Sequence, residues 1–197
     1  MIKLAEKLEY RVIADLVTPG ASVLDLGCGD GHLMDLLATR KMAKVQGIEI
    51  DEQAIYQCVA KGLSVFHGDL DTGLVDFSDQ SFDFVILDQT LQQLEKPDEV
   101  LADALRVGKK VIVGFPNFAH YSARLQMLFH GRSPVTPFLP YQWHDTPNLR
   151  FFSTLDFVDY CRQRRIRIEK AAYLSSRRIV GLMPNLRSQV GIFLIRK

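Results

Sequence analysis

Short apolar runs alternate along this chain with longer stretches in which apolar residues recur at helical spacing. Near-continuous apolar runs are typical of parallel strands covered on both faces, and the longer spacing is typical of amphipathic helices. The alternation predicts an α/β protein with a mostly parallel sheet. The predicted strands are residues 23–26, 45–50, 63–66, 82–87 and 110–115, and residues 167–174 and 190–196 close the sheet as an antiparallel pair.

The first strand leads into a glycine-rich turn, within the sequence SVLDLGCGDGHL at residues 22–33. A dinucleotide fingerprint would need glycine at position 32, which is His32 here. The observed pattern is D-x-G-x-G-x-G, which starts at an acid that would repel a pyrophosphate and suits a ligand with an ammonium or sulfonium charge. S-adenosylmethionine carries both charges. We expect the turn to bind it through Asp25, Gly27, Cys28, Gly29 and Gly31.

Carboxylates follow the next two predicted strands, where parallel strands bring their carboxyl ends to one edge. Glu49, with Ile50 beside it, ends the second strand, and its carboxylate can accept hydrogen bonds from a ribose diol. Asp69, followed by Leu70, ends the third strand, where it could accept from the adenine amino group. Each acid alone is most simply a solvated loop residue, but the three acids at successive strand ends favour a nucleoside site.

The segments VLDLGCGDG, GIEID and HGDL, in this order, resemble the class I S-adenosylmethionine-dependent methyltransferases. The resemblance implies a Rossmann-like, three-layer α/β/α fold with a seven-stranded, mostly parallel sheet and one antiparallel strand. It also implies S-adenosylmethionine or S-adenosylhomocysteine as the ligand, lying across the carboxyl ends of the first strands.

Composition agrees with one such domain over residues 1–197, because 47% apolar content is ample for a single core. The formal net charge of +1 gives no reason to expect nucleic acid or membrane as a partner. The three cysteines have no metal-ligand spacing, so we expect no metal site and reduced thiols in a cytoplasm. No signal pattern or long apolar run is present, which predicts a soluble protein.

The end of the fourth strand, where a methyl acceptor would be expected, has no histidine or lysine to act as a base. Asp88 is the one acid there, and it could bind the ligand's amino group, cap the strand or act in catalysis. Among the histidines, His144 beside Asp145 is the first place to look for a base, although a structural histidine is the commoner case.

Residues 116–150, called the insertion below, combine a predicted helix capped by Asn117 with a proline-rich, aromatic loop. Such a loop is too apolar to stay unpacked, so it forms either a lid over the ligand or a surface for a partner protein. Tyrosine, tryptophan and arginine are the residue types enriched at interface anchors. The candidates of these types are Tyr121, Arg124, Arg132, Tyr141 and Trp143.

The insertion sequences FPNFAHYSARLQMLFHGRSPVT and LPYQWHDTPN resemble the methionine biosynthesis protein MetW family. This resemblance implies a role beside homoserine O-acyltransferase, an enzyme of the α/β-hydrolase fold whose activity in some bacteria depends on such a partner. Two hypotheses follow: a nucleoside-binding protein that regulates this acyltransferase, or a methyltransferase that acts on a small molecule. The oligomeric state, a homodimer included, stays open.

Overall fold

A computed structural model describes residues 8–176 and 178–197. The helices among them are α1 (Leu8–Leu16), α2 (His32–Lys41), α3 (Glu52–Ala60), α4 (Pro97–Val107), α5 (Tyr121–His130), α6 (Thr154–Gln163) and α7 (Pro184–Arg187). The strands are β1 (Ser22–Leu26), β2 (Lys44–Glu49), β3 (Ser64–His67), β4 (Phe82–Asp88), β5 (Gly108–Pro116), β6 (Arg167–Ser175), β7 (Arg178–Ile179) and β8 (Val190–Arg196).

Within the described residues all strands form one sheet, in the order β3-β2-β1-β4-β5-β8-β6-β7. The first five strands are mutually parallel, β8 runs antiparallel to β5 and β6, and β7 pairs antiparallel with β6. The predicted α/β sheet is therefore confirmed, but it has eight strands rather than seven. The additional strand is two residues long and pairs with the end of β6.

Alternate residues of the central strands face opposite layers of helices. Phe84 and Ile86 of β4 pack with α1 and α2, whereas Val85 and Leu87 pack with α4 and α6. This alternation explains the continuous apolar sequence of β4, because neither face of the strand meets water. The result is a three-layer arrangement with the sheet in the middle.

The residues that cap the N-termini of α6 and α5 can be compared with those that the sequence predicts. The S-x-x-D spacing of Ser153 and Asp156 in the sequence predicts a capping box, and the two residues form one at the start of α6, each side chain accepting from the other residue's backbone N–H. The prediction of Asn117 as a helix cap was wrong, because His120 caps α5. The buried Asn117 amide instead donates to the carbonyls of Asn185 and Ser188, which joins β5 to the segment before β8.

Candidate functional site

The glycine turn after β1 is held in a conformation that side chains rarely adopt. Gly27, Gly29 and Gly31 have φ angles of 74°, 54° and 77°. A Cβ on Gly27 would lie 2.7 Å from Thr90 Oγ1, and one on Gly31 would lie 2.6 Å from a methyl carbon of Leu63. A Cβ on Gly29 would meet no atom within 4 Å. Protein packing thus requires glycine at the first and third positions, while Gly29 borders open space.

Glu49, at the end of β2, fixes this turn against the neighbouring strand. Its Oε2 accepts from Gly29 N at 2.8 Å, and its Oε1 accepts from Ile50 N at 2.9 Å and Asp51 N at 3.0 Å. A carboxylate offers about four lone-pair positions, so three backbone bonds leave about one for a ligand. To accept two hydrogen bonds from a ribose diol, the Glu49 carboxylate would therefore have to release one of its three backbone hydrogen bonds.

A cavity of about 420 Å³, called the edge cavity, lies at the carboxyl ends of β1, β2, β3 and β4. It brings together residues of four predicted strand ends, as expected for parallel strands that finish at one edge. Its lining residues are Gly27, Gly29, Ile48, Glu49, Ile50, Gly68, Asp69, Leu70, Asp71, Asp88, Gln89, Thr90, Gln93 and Leu94. No residue of the insertion is among them.

Asp25 lies behind the turn rather than on the wall of the edge cavity, and only 2% of it is exposed. Burial, and secondarily the nearby Glu49 carboxylate, raises the pKa of its carboxyl to about 7. Its negative charge is therefore only partly developed near neutral pH. Burial also raises the pKa of the Tyr10 hydroxyl on α1, with Asp88 and Glu9 contributing next.

The adenine-side candidates lie on the other wall of the edge cavity. Asp69 is exposed, and its Oδ1 accepts from Asp71 N at 2.9 Å, which caps a short 3₁₀ turn over Leu70–Thr72. The carboxylate of Asp71 accepts from the backbone N–H groups of Glu95 and Lys96. Asp71 thereby ties this wall to the segment that follows β4.

Cys28, another candidate in the turn, points into the protein. Its side chain packs with Met34 and Cys58 and does not line the edge cavity. Burial raises the pKa of its thiol, which keeps the sulfur protonated. A cysteine in this environment is a packing residue, and only its backbone belongs to the turn.

The segment after β4 forms a hydrogen-bonded network of amides. Gln89 has a positive φ of 58°, uncommon for a residue with a side chain, and its carbonyl accepts from the side chains of Gln92 and Gln93 at 2.7 and 2.8 Å. Gln89 Nε2 donates to Glu9 Oε1 on α1 at 2.6 Å. Thr90 is buried and donates to Leu26 O at 2.8 Å, which holds the end of β4 against β1.

A second cavity, of about 520 Å³, adjoins the edge cavity and is called the insertion cavity. Gln89 and Gln93 line both cavities. The other lining residues are Leu8, Glu9, Gln92, Pro116, Pro137, Phe138, Pro140, Tyr141, Pro147, Asn148, Leu174, Ser176 and Val190. The insertion therefore lines a neighbouring space, and none of its described residues lines the edge cavity, which does not favour the first of the two alternatives, a lid over the ligand.

His144 and Asp145 do not line either of these cavities. His144 is exposed and lies edge-on to Trp143, while Asp145 Oδ1 accepts from Gln142 N at 2.7 Å. The structure therefore does not bring this pair to the carboxyl edge of the sheet. Asp88 is the one predicted catalytic candidate on the wall of the edge cavity.

The remaining insertion candidates lie at the surface. Tyr121, Tyr141 and Trp143 are exposed, the last by 78%. Arg124 Nε donates to Ala119 O at 2.6 Å, and Arg132 lines a further cavity that Trp143 also borders. Other exposed apolar side chains in this part of the sequence are Leu125, Met127, Leu128, Phe129, Leu149 and Phe151, the last of which directly follows the insertion.

Sequence reasoning missed Tyr10 and Glu9, because nothing local in α1 shows where that helix will pack. It also missed Thr90 and Asp71. Thr90 lies three residues after the predicted strand 82–87, close to the strand end at which Asp88 was identified.

Among residues 8–176 and 178–197, no group of three or more His, Cys, Asp or Glu side chains could hold a metal ion. In the same part of the chain, no helix has the length and apolar character needed to cross a bilayer.

Comparison with known sequences gives matches over most of the chain. A family model described as methionine biosynthesis protein MetW matches residues 7–195. The bifunctional methionine biosynthesis protein MetXA/MetW of Rhodopirellula baltica is 36% identical over 175 residues, which is 84% of this chain and 28% of that protein. A ribosomal protein L11 methyltransferase of Burkholderia vietnamiensis is 34% identical over 96 residues, 48% of this chain and 32% of that protein. The chain spans less than a third of either relative.

Comparison with solved structures identifies the fold. A TehB-like SAM-dependent methyltransferase from Corynebacterium glutamicum matches with a TM-score of 0.64 and 18% identity, covering 96% of this chain and 86% of that one. An S-adenosylmethionine-dependent methyltransferase from Mesorhizobium loti matches with a TM-score of 0.70 and 15% identity, covering 96% and 97%. These likenesses confirm the Rossmann-like class I methyltransferase fold.

Proposed function

Since this chain belongs to the MetW family of methionine biosynthesis proteins, we propose that it binds S-adenosylmethionine or S-adenosylhomocysteine and regulates homoserine O-acyltransferase. The nucleoside lies in the edge cavity, and the acyltransferase docks on the insertion. The observation on which the proposal depends is the set of exposed apolar and aromatic side chains on the insertion, including Phe129 and Trp143.

Two features of the edge cavity and one comparison support a cationic nucleoside. The turn at Gly29 leaves the backbone open to the cavity, so a ligand can lie against the main chain. Glu49, Asp69 and Asp88 supply carboxylates on its wall, and such groups favour a ribose diol, an adenine amino group and an ammonium. Known structures of the same fold are described as S-adenosylmethionine-dependent methyltransferases.

Two observations support a protein partner. The relative from Rhodopirellula baltica is named as one chain with a MetXA and a MetW part, and proteins fused in one organism commonly associate as separate chains in another. Large exposed apolar and aromatic side chains, of which the insertion has several, favour a protein interface. On α5, Leu128 and Phe129 are exposed while Ala123 is the buried residue, so this helix contributes little to the core.

A direct structural connection supports regulation through the ligand. Leu149 N and Arg150 N, at the end of the insertion, both donate to the carbonyl of Gln92, at 2.9 and 3.0 Å. Gln92 in turn donates to Gln89, which lines the edge cavity. A ligand that prefers one arrangement of this segment would shift the arrangement of the docking surface.

The test measures acyl transfer by purified homoserine O-acyltransferase with and without this chain, and co-elution of the two proteins. We expect co-elution and a changed rate, with the dissociation constant weakened about tenfold or more in Trp143→Ala, since exposed aromatic anchors dominate such interfaces. The matched control is Tyr56→Ala, another exposed aromatic residue on α3 outside the insertion. Separate elution together with an unchanged rate would refute the docking proposal.

A second candidate function is methyl transfer to a small molecule. It is favoured by the insertion cavity, which meets the edge cavity at Gln89 and Gln93, where an acceptor could approach the sulfonium. Transfer from a sulfonium requires chiefly alignment, so the absence of a histidine or lysine at the end of β4 does not oppose it. Labelled methyl groups should then move from S-adenosylmethionine to a metabolite in cell extract, less in Asp88→Asn. If no metabolite in the extract acquires the label, methyl transfer to a small molecule is refuted.

A further inference from the structure

A cavity of about 630 Å³, called the basic cavity, lies beside the last turn of α5 and the loop that follows it. Its wall includes His130, Arg132 and Trp143. Within residues 8–176 and 178–197, the side chain of Arg132 forms no hydrogen bond or ion pair, and neither the His130 ring nor the Trp143 indole N–H forms a hydrogen bond. The N–H donors of these three side chains are therefore available to a ligand from outside the chain.

A neighbouring cavity of about 450 Å³, called the aromatic cavity, adjoins the basic cavity, since Ser133, Gln142 and Trp143 line both. The apolar part of its wall is formed by Phe118, Leu139, Tyr141, Leu149 and Phe151. The Phe118 and Phe151 rings meet edge to face with centroids 4.8 Å apart, and Phe151 is nonetheless 67% exposed. An apolar side chain that entered this cavity would remove such surface from water, which is favourable.

The insertion as a whole carries a net positive charge. Residues 116–150 contain three arginines, Arg124, Arg132 and Arg150, no lysine, and one carboxylate, Asp145. Asp145 Oδ1 accepts from Gln142 N at 2.7 Å, and none of the three arginines forms an ion pair with a described residue. Arg124 and Arg150 donate to backbone carbonyl groups instead, so their charges stay uncompensated. A surface of this kind attracts a partner surface that carries carboxylates and repels a basic one.

We infer that the basic and aromatic cavities together bind an acidic, apolar segment of the acyltransferase, with a carboxylate at Arg132 and an apolar side chain in the aromatic cavity. The inference rests on the proposed function and specifies the chemistry of the segment that docks. Because Trp143 lines both cavities, the carboxylate and the apolar side chain lie close together in that segment. No described residue lines both the edge cavity and either of these two, so the segment and the nucleoside are separate ligands.

The experiment measures the dissociation constant between purified homoserine O-acyltransferase and this chain at about 0.1 M and about 1 M sodium chloride. The Debye length falls from about 10 Å to about 3 Å over this range, so attraction between charges is largely screened at the higher concentration. We expect the unmodified chain to bind about fivefold more weakly, or more, at high salt.

The variants separate the charged contact from the apolar one. At low salt Arg132→Glu should bind about tenfold more weakly or worse, and Arg132→Lys should lie between it and the unmodified chain, because lysine keeps the charge without the bidentate geometry. Phe151→Ala should bind more weakly at both salt concentrations and keep the salt dependence, since it removes apolar wall alone. The matched control is Arg162→Glu, the same charge reversal at an exposed arginine on α6, which should bind as the unmodified chain does.

Binding that does not change with salt, or Arg132→Glu binding as tightly as Arg162→Glu, would overturn the inference and leave the docking proposal standing. Absence of binding by the unmodified chain at both salt concentrations would instead refute the docking proposal, and the inference with it. A dimer of this chain that Arg132→Glu dissociates, measured by sedimentation, would assign the two cavities to a second copy and also overturn the inference. If circular dichroism shows that Arg132→Glu is unfolded, Arg132→Gln, which removes the charge without reversing it, replaces it and should bind about threefold more weakly or worse.

Discussion

Replacement of Asp25 by asparagine should stabilise the protein at high pH and not at low pH. The folded protein raises the pKa of this carboxyl from an ordinary value of 3.8 to about 7, mainly by burial and secondarily through Glu49. The folded state therefore holds the proton more tightly than the unfolded state, so stability falls as pH rises between these values and is constant above them. The full change in the free energy of unfolding is about 4 kcal/mol, because a pKa shift of one unit corresponds to about 1.4 kcal/mol.

The measurement compares the free energy of unfolding of the two proteins in urea at several values from pH 5 to pH 8. About 2–3 kcal/mol of the effect falls within this window, so the advantage of Asp25→Asn over the unmodified protein should grow by that amount. Any fixed cost of fitting an amide at this position cancels, because it is the same at every pH. An advantage that does not change with pH, or that shrinks as pH rises, would refute the assignment.

Asp83→Asn is a control of opposite sign. The pKa of Asp83 is lowered to about 2, first by the hydrogen bond from Lys109 and then by the hydrogen bonds from Ser22. Its ionised form is favoured by folding, so its contribution is present above about pH 4 and is lost as pH falls towards 2. Asp83→Asn should therefore be less stable than the unmodified protein throughout the pH 5–8 window.

Three further outcomes follow from the site. Glu49→Gln should weaken S-adenosylhomocysteine binding at least tenfold by calorimetry and should lower the free energy of unfolding. The reason is that the Glu49 carboxylate accepts from three backbone N–H groups. A binding affinity equal to that of the unmodified protein would contradict this. The affinity ratio of S-adenosylmethionine to S-adenosylhomocysteine should rise from pH 6 to pH 8 as Asp25 ionises, and should stay flat in Asp25→Asn. Gly27→Ala should lower the free energy of unfolding in urea by about 1–3 kcal/mol more than Gly29→Ala, since only a Cβ on residue 27 would contact Thr90. Equal losses of stability in the two variants would contradict the turn geometry.

The sequence by itself determined the features that depend on local pattern. The glycine turn, Glu49 at the end of β2 and the capping box at Ser153 follow from residue type and short spacing, and the structure has them where expected. Strands buried on both faces are visible as apolar runs, because every side chain of such a strand meets a helix layer. Parallel strands end at one edge, so their terminal acids could be grouped in advance.

Only the tertiary structure decided how distant segments meet. It brought Glu9 of α1 to the segment after β4 and Tyr10 near Asp88, left His144 away from both cavities, and used Asn117 to join β5 to the segment before β8 instead of capping a helix. It also gave Asp25 a pKa near 7, which requires burial by the assembled sheet. None of these follows from hydrophobic periodicity, because each depends on contacts between residues far apart in the chain, and those contacts exist only once the layers have packed.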